Sequence, residues 1–160
     1  MHANLKSAAL AAVLAVGVFG CCEAIAEGDA AIVQLLPVDL KWVDNPGLPA
    51  RCKTAVLSGV PGKPGPYTFR IKIPVNTVIH AHFSPDDRTY TVISGTWYVG
   101  HGDAYDAAKL QRMPPGSFYV RPAKVPSYDA AREEEVIIQI SGNGPTGLTY
   151  IDASNDPRKK

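Results

Sequence analysis

Cysteine is the first shortage. The chain has three, two of them adjacent at Cys21 and Cys22 and the third alone at Cys52. Charge of one sign is short as well: 16 Lys and Arg stand against 15 Asp and Glu, a net +1, with no basic run beyond the closing Arg158-Lys159-Lys160. That leaves no electrostatic footprint for a nucleic acid. Long apolar runs are also missing. The best, SAALAAVLAVGVFG at residues 7–20, falls short of the roughly 20 residues a spanning helix needs. Helical periodicity is confined to DAYDAAKLQ (103–111), where Asp103 suits an N-cap. No Ser-His-Asp order, Gly-rich phosphate loop or Cys-x-x-Cys pair can be assembled, which removes the usual hydrolase, nucleotide and dithiol chemistries.

What is present begins with a leader. The short apolar run follows one lysine and ends before Ala24-Ile25-Ala26, a small-x-small pattern, so residues 1–26 read as a cleaved export signal. The mature protein is then expected in the periplasm or outside the cell, with no transmembrane span. The competing reading is lipidation at Cys21, against which the bulky Phe19 counts. In either case Cys52 has no partner left, and the mature domain is expected to lack an internal disulfide. A reactive thiolate between Arg51 and Lys53 competes with a small buried residue opening a strand, and the second reading is preferred.

Beyond the leader nearly every segment reads as a strand: 31–42, 54–59, 67–74, 77–83, 89–95, 96–100, 117–122, 135–142 and 148–152. They are rich in Val, Ile, Thr and Tyr and bounded by turn material such as SPDD (84–87) and MPPG (113–116). With 14 Gly and 14 Pro, this pattern predicts an all-β antiparallel sandwich or small barrel with one short helix. Within TVIHAHFS the two-residue period places Val78, His80, His82 and Ser84 on one face and Ile79 and Phe83 on the other. His80 and His82 are thereby expected to point the same way, within reach of one ion.

HFSPDDRTYTVISGTWYVGHGD and ISGNGPTGLTYIDASNDPR resemble the small single-domain bacterial cupins, whose fold is a double-stranded β-helix or jelly-roll barrel. The resemblance covers roughly residues 50–152, preceded by an extension at 27–49 and followed by a tail at 153–160. The first cupin motif, Gly-x5-His-x-His-x(3,4)-Glu-x6-Gly, counted back from Gly95, places Arg88 in the Glu slot, Ser84 and His82 in the His slots and Asn76 in the leading Gly slot. The second, Gly-x5-Pro-x-Gly-x2-His-x3-Asn, runs from Gly116 to Pro122, with Lys124 in its next Gly slot and Ser127 in its His slot. The resemblance implies four metal ligands, of which this register keeps only His82. A second register, with His80, His82 and either Asp86 or Asp87, would form a facial triad for Fe, Mn, Ni or Zn.

Three expectations of function stay open at this point, one of them a structural remnant whose barrel mainly dimerises through its outer sheet. In the preferred one the barrel, its usual metal site largely lost, binds a small polar or anionic molecule through Arg88, Tyr90, Ser84 and Ser127, a guanidinium being suited to a carboxylate. In another the chain is a metal-dependent oxygenase, isomerase or lyase using His80, His82 and Asp86 or Asp87. No catalytic residue is assigned. Arg88 could instead turn to solvent and pair with Asp86 or Asp87. A homodimer is implied by the resemblance.

Overall fold

The computed structural model describes residues 32–160, of which Val33–Lys160 form one compact unit. The export signal with Cys21 and Cys22 therefore lies outside the described residues. Eleven strands follow in chain order: β1 (Val43–Asp44), β2 (Lys53–Ser58), β3 (Gly65–Ile73), β4 (Thr77–Phe83), β5 (Arg88–Ser94), β6 (Trp97–His101), β7 (Gln111–Met113), β8 (Phe118–Arg121), β9 (Ser127–Ala131), β10 (Val136–Gly144) and β11 (Thr149–Tyr150). They form two sheets, β1-β2-β3-β10-β5-β8 and β11-β4-β9-β6-β7. Every pairing is antiparallel. From β3 onward the chain crosses to the other sheet at almost every turn, the topology of a jelly roll.

Alternation makes the core. On β3 the buried positions are Tyr67, Phe69, Ile71 and Ile73, and on β10 Val136, Ile138 and Ile140 lie directly opposite Ile73, Ile71 and Phe69. These rows meet Ile79, Trp97, Val99 and Met113 from the second sheet. Each such side chain removed from water stabilises the fold by about 1.5–3 kcal/mol. Among the described residues no helix is long and apolar enough to cross a membrane.

Backbone sign agrees with the glycine slots of the first register. Gly95 and Gly116 have φ of +70° and +85°, and the two non-glycine residues in Gly slots, Asn76 and Lys124, have φ of +56° and +63°. All four positions adopt the left-handed conformation that glycine tolerates best. At Gly95, in the β5–β6 turn, a Cβ would come within 2.3 Å of the Glu135 carbonyl oxygen, so the turn excludes any side chain there.

Two local expectations are corrected, and one strand appears that was not expected. The strand expected at 31–42 is absent from its described part, residues 32–42: Pro37–Asp39 is a 3-10 turn, closed by the Leu36 N–H donating to Asp39 Oδ2 at 2.8 Å, and only Val43–Asp44 pairs. The stretch 103–111 forms no α-helix but a 3-10 turn at Ala107–Lys109, capped by Asp106 rather than Asp103. Strand β9, SYDAA, has no β-branched residue to signal it and yet is buried along its whole length.

Candidate functional site

Sequence alternation fails at β4, and the failure decides the site. In the β4–β9 pairing Ile79 lies opposite Asp129 and His82 opposite Ser127, so three steps on β4 match two on β9. This β-bulge shifts the phase of the strand. His82 turns into the barrel beside Ile79, 3% exposed, while His80 stays outside, its ring edge-on to Tyr105 at 5.9 Å between centroids. The expectation that the two imidazoles share a face is therefore wrong.

The aspartates of the second register go elsewhere too. Asp87 is exposed and accepts from the Ala123 N–H at 2.6 Å. Asp86 is tied to Arg88, to the hydroxyl of Tyr67 and to that of Thr146. His80, His82 and Asp87 do not converge, and among the described residues no group of three or more His, Cys, Asp or Glu side chains is placed to hold a metal ion.

The positions of the first register do converge. His82, Ser84 and Ser127 surround one group, the guanidinium of Arg121, which is 2% exposed. Its Nη1 donates to His82 Nε2 at 3.1 Å and to the Ser127 hydroxyl, and its Nη2 donates to Ser84 Oγ at 3.0 Å. Below it lies the Tyr90 ring, 5.2 Å from the guanidinium carbon, a cation–π contact. Tyr90 in turn stacks on Trp97 and leans on Tyr119, with centroids 5.4 and 5.3 Å away. The hydroxyl of Tyr90 and the indole N–H of Trp97 are buried without hydrogen-bond partners.

Arg121 lies directly across from Arg88 in the β5–β8 ladder, both pointing inward. Like charges so placed repel. Arg88 is compensated: its Nε is 3.4 Å from Asp86 Oδ1, and its Nη2 donates to Thr146 and, at 2.7 Å, to the Gly147 carbonyl. So it pairs with Asp86 inside the protein, not in solvent. Arg88 also faces a cavity of about 260 Å³ shared with Leu48, Ile71, Leu148 and Arg158. Arg121 has no such partner; none of the ion pairs among the described residues includes it.

Asp129 on β9 completes the interior. Its Oδ2 is 3.7 Å from His82 Nε2 and its Oδ1 has no hydrogen-bond partner. Burial raises its pKa to about 7, against the pull of Arg121 and Arg88. Burial and the Arg121 charge together lower His82 to about 3, so the imidazole is neutral.

Sequence reasoning did not find Arg121 or Asp129. In SFYVRP the apolar Phe118 and Val120 invite an inward assignment, whereas the structure exposes them at 63% and 52% and turns Tyr119 and Arg121 in. The available signal was parity: Arg121 shares a face with Tyr119, one residue before Pro122.

The metal that the resemblance implies does not fit these residues. Two of the aligned ligand positions are hydroxyls, and the point where they meet His82 is taken by a permanent cation.

No family model matches the chain, and no curated protein is similar to it in sequence. Solved structures are similar in shape. The polyketide cyclase RemF from Streptomyces resistomycificus superposes with a TM-score of 0.65 at 16% identity, over 81% of this chain and 92% of that one. The DMSP lyase DddQ from Ruegeria pomeroyi gives 0.58 at 15% identity, covering 71% of this chain and 61% of that one. An RmlC-like cupin from Shewanella frigidimarina gives 0.54 at 12% identity, over 71% and 91%. At these identities the likeness establishes the architecture: the chain has the cupin fold.

Proposed function

We propose that this cupin-fold protein binds a small anion, a carboxylate in the first instance, at the polar end of its barrel, with Arg121 and Arg88 supplying charge and Ser84, Ser127 and Tyr90 supplying hydroxyls. One observation carries the reading: Arg121 is buried and all its hydrogen-bond partners are neutral. A guanidinium cannot shed its charge, and burying it without a counter-ion is expensive. Three of its five N–H donors are engaged, so two remain for an incoming oxygen pair. Arg88, on the adjacent strand, lines a cavity of about 260 Å³ whose lining does not include Arg121.

The test is calorimetric titration of wild type and Arg121→Gln with acetate, pyruvate, succinate and benzoate at matched ionic strength, with acetamide as the neutral control. Saturable binding of a carboxylate that is lost in the variant supports the reading. If no carboxylate binds beyond the acetamide control, or if Arg121→Gln binds as wild type does, the reading fails.

A second reading has an observation of its own. Asp129 is a buried carboxyl held near neutrality beside His82 and facing a guanidinium, a disposition suited to moving a proton next to a bound carboxylate without a metal. Deuterium exchange at the α-carbon of a bound carboxylate, abolished by Asp129→Asn, would identify such an enzyme.

Export of the chain and its assembly as a homodimer complete the proposal. The leader pattern at residues 1–26 supports the first, and the exposed Phe118 and Val120 on the edge strand β8 support the second. N-terminal sequencing of secreted protein and its mass in solution are the corresponding measurements.

A further inference from the structure

We infer that the guanidinium of Arg121 stands where a metal-binding barrel of this architecture would hold its ion, so that the chain supplies its own cation in place of a bound one. The inference is independent of the anion reading, since it holds equally for a barrel that binds nothing.

Three observations bear on it. Residues 82, 84 and 127, aligned with metal-ligand slots by spacing alone, place three acceptor atoms around a single buried group. The alignment itself is supported by the left-handed backbone at all four aligned glycine positions, two of which hold Asn76 and Lys124. His82 is oriented as a ligand would be: its Nδ1 donates to the His80 carbonyl at 2.9 Å, which leaves the Nε2 lone pair pointing at Arg121. The imidazole therefore offers to a guanidinium N–H what it would offer to a metal.

The chemistry of the two serines follows. A hydroxyl is a poor ligand for a borderline divalent ion but a good acceptor for an N–H donor. The aligned acid position holds Arg88, paired with Asp86, so that residue presents no carboxylate to the meeting point. A divalent ion entering here would meet a fixed positive charge at close range.

The experiment is cobalt titration, followed by visible absorption, of three proteins. They are wild type, the double variant Ser84→His/Ser127→His, and the triple variant that adds Arg121→Ala, with His82 retained in all. The triple variant is expected to take up about one cobalt per chain, with ligand-field bands, at least about 100-fold more tightly than the double variant. Equal affinity of the double and triple variants, or a folded triple variant that binds none, would overturn the inference. Should the histidine variants not fold, wild type decides alone after equilibration with cobalt, nickel and zinc. Uptake near one ion per chain that disappears in His82→Ala overturns the inference, and the absence of any His82-dependent uptake supports it. Metal uptake is read without any anion, so this result and the carboxylate titration succeed or fail separately.

Discussion

His82 accepts from Arg121 through Nε2 at 3.1 Å and donates through Nδ1 to the carbonyl of His80 at 2.9 Å. Both nitrogens are committed, and adding a proton to Nε2 would set one cation against another. Asp129 sits 3.7 Å away with the opposite perturbation. Their effects on stability have opposite signs. His82 binds its proton near 6.5 when unfolded and near 3 when folded, so below pH 6.5 the unfolded chain holds the extra proton and stability falls as pH falls. Asp129 titrates near 3.8 unfolded and near 7 folded, so above pH 3.8 the folded chain holds the extra proton and stability falls as pH rises. Each slope is about 1.4 kcal/mol per pH unit, and the two cancel between roughly pH 4 and 6.5. Urea denaturation is expected to show a slope from Asp129→Asn that rises with pH across this window relative to wild type, and from His82→Asn one that falls. Parallel curves for all three proteins would refute the assignment.

Arg121→Met replaces a buried cation that has no ion-pair partner by a shorter, apolar side chain. Because no hydrogen-bonded carboxylate is abandoned but the acceptors on His82, Ser84 and Ser127 lose their donor, the variant is expected to lose no more than about 1–3 kcal/mol in anion-free buffer. A loss of more than about 3 kcal/mol in the midpoint analysis would mean that Arg121 is structural rather than held in readiness for a ligand.

Carboxylate affinity should depend on the state of Asp129. Above its pKa of about 7 this residue becomes an anion beside Arg121 and competes with the ligand. Dissociation constants are expected to weaken by about tenfold between pH 6 and 8 if only the protonated form binds. The profile should flatten in Asp129→Asn. An unchanged profile in that variant would place the titrating group elsewhere.

Lys124 keeps a left-handed backbone, φ +63°, while its N–H donates to the Ser84 carbonyl at 2.8 Å. Glycine adopts this conformation without the crowding of a Cβ. Lys124→Gly is therefore expected to raise stability by about 0.5–1 kcal/mol, read as a higher denaturation midpoint, with the hydrogen bond intact.

Cys52 is 1% exposed, and burial pushes its thiol up to about 11. Ellman's reagent at pH 8 should leave it untouched in the native protein and react in urea, at a rate set by unfolding. Prompt labelling of the folded protein would restore the reactive-thiolate reading that its neighbours Arg51 and Lys53 suggest.

The architecture was legible because its signals are local. Alternation in YTFRIKI and VIIQI marks two long central strands, and Gly95 marks a turn that no other residue can make. The stretch TVIHAHF forms β4 with the bounds its composition predicts. The site was less legible because its decisive features depend on pairing between distant strands. No residue in TVIHAHF announces that the strand carries one more residue than β9 can match. Arg121 and Arg88 stand 33 positions apart, and only the β5–β8 register sets them side by side. Asp129 lies in a segment whose polarity argues for a loop. Spacing to Gly95 nonetheless singled out His82 and Ser84, and both side chains turn into the barrel, because the turn that fixes the glycine also fixes the count.

The irregularity in β4 has a wider implication. The span from Ile79 to His82 holds one residue more than β9 matches, and a regular pairing of the same sequence would carry His82 to the face opposite Ile79. The imidazole held against the guanidinium faces inward because of that extra residue. The bulge thus acts here as a selector, deciding which of two neighbouring imidazoles enters the barrel without any side chain being replaced.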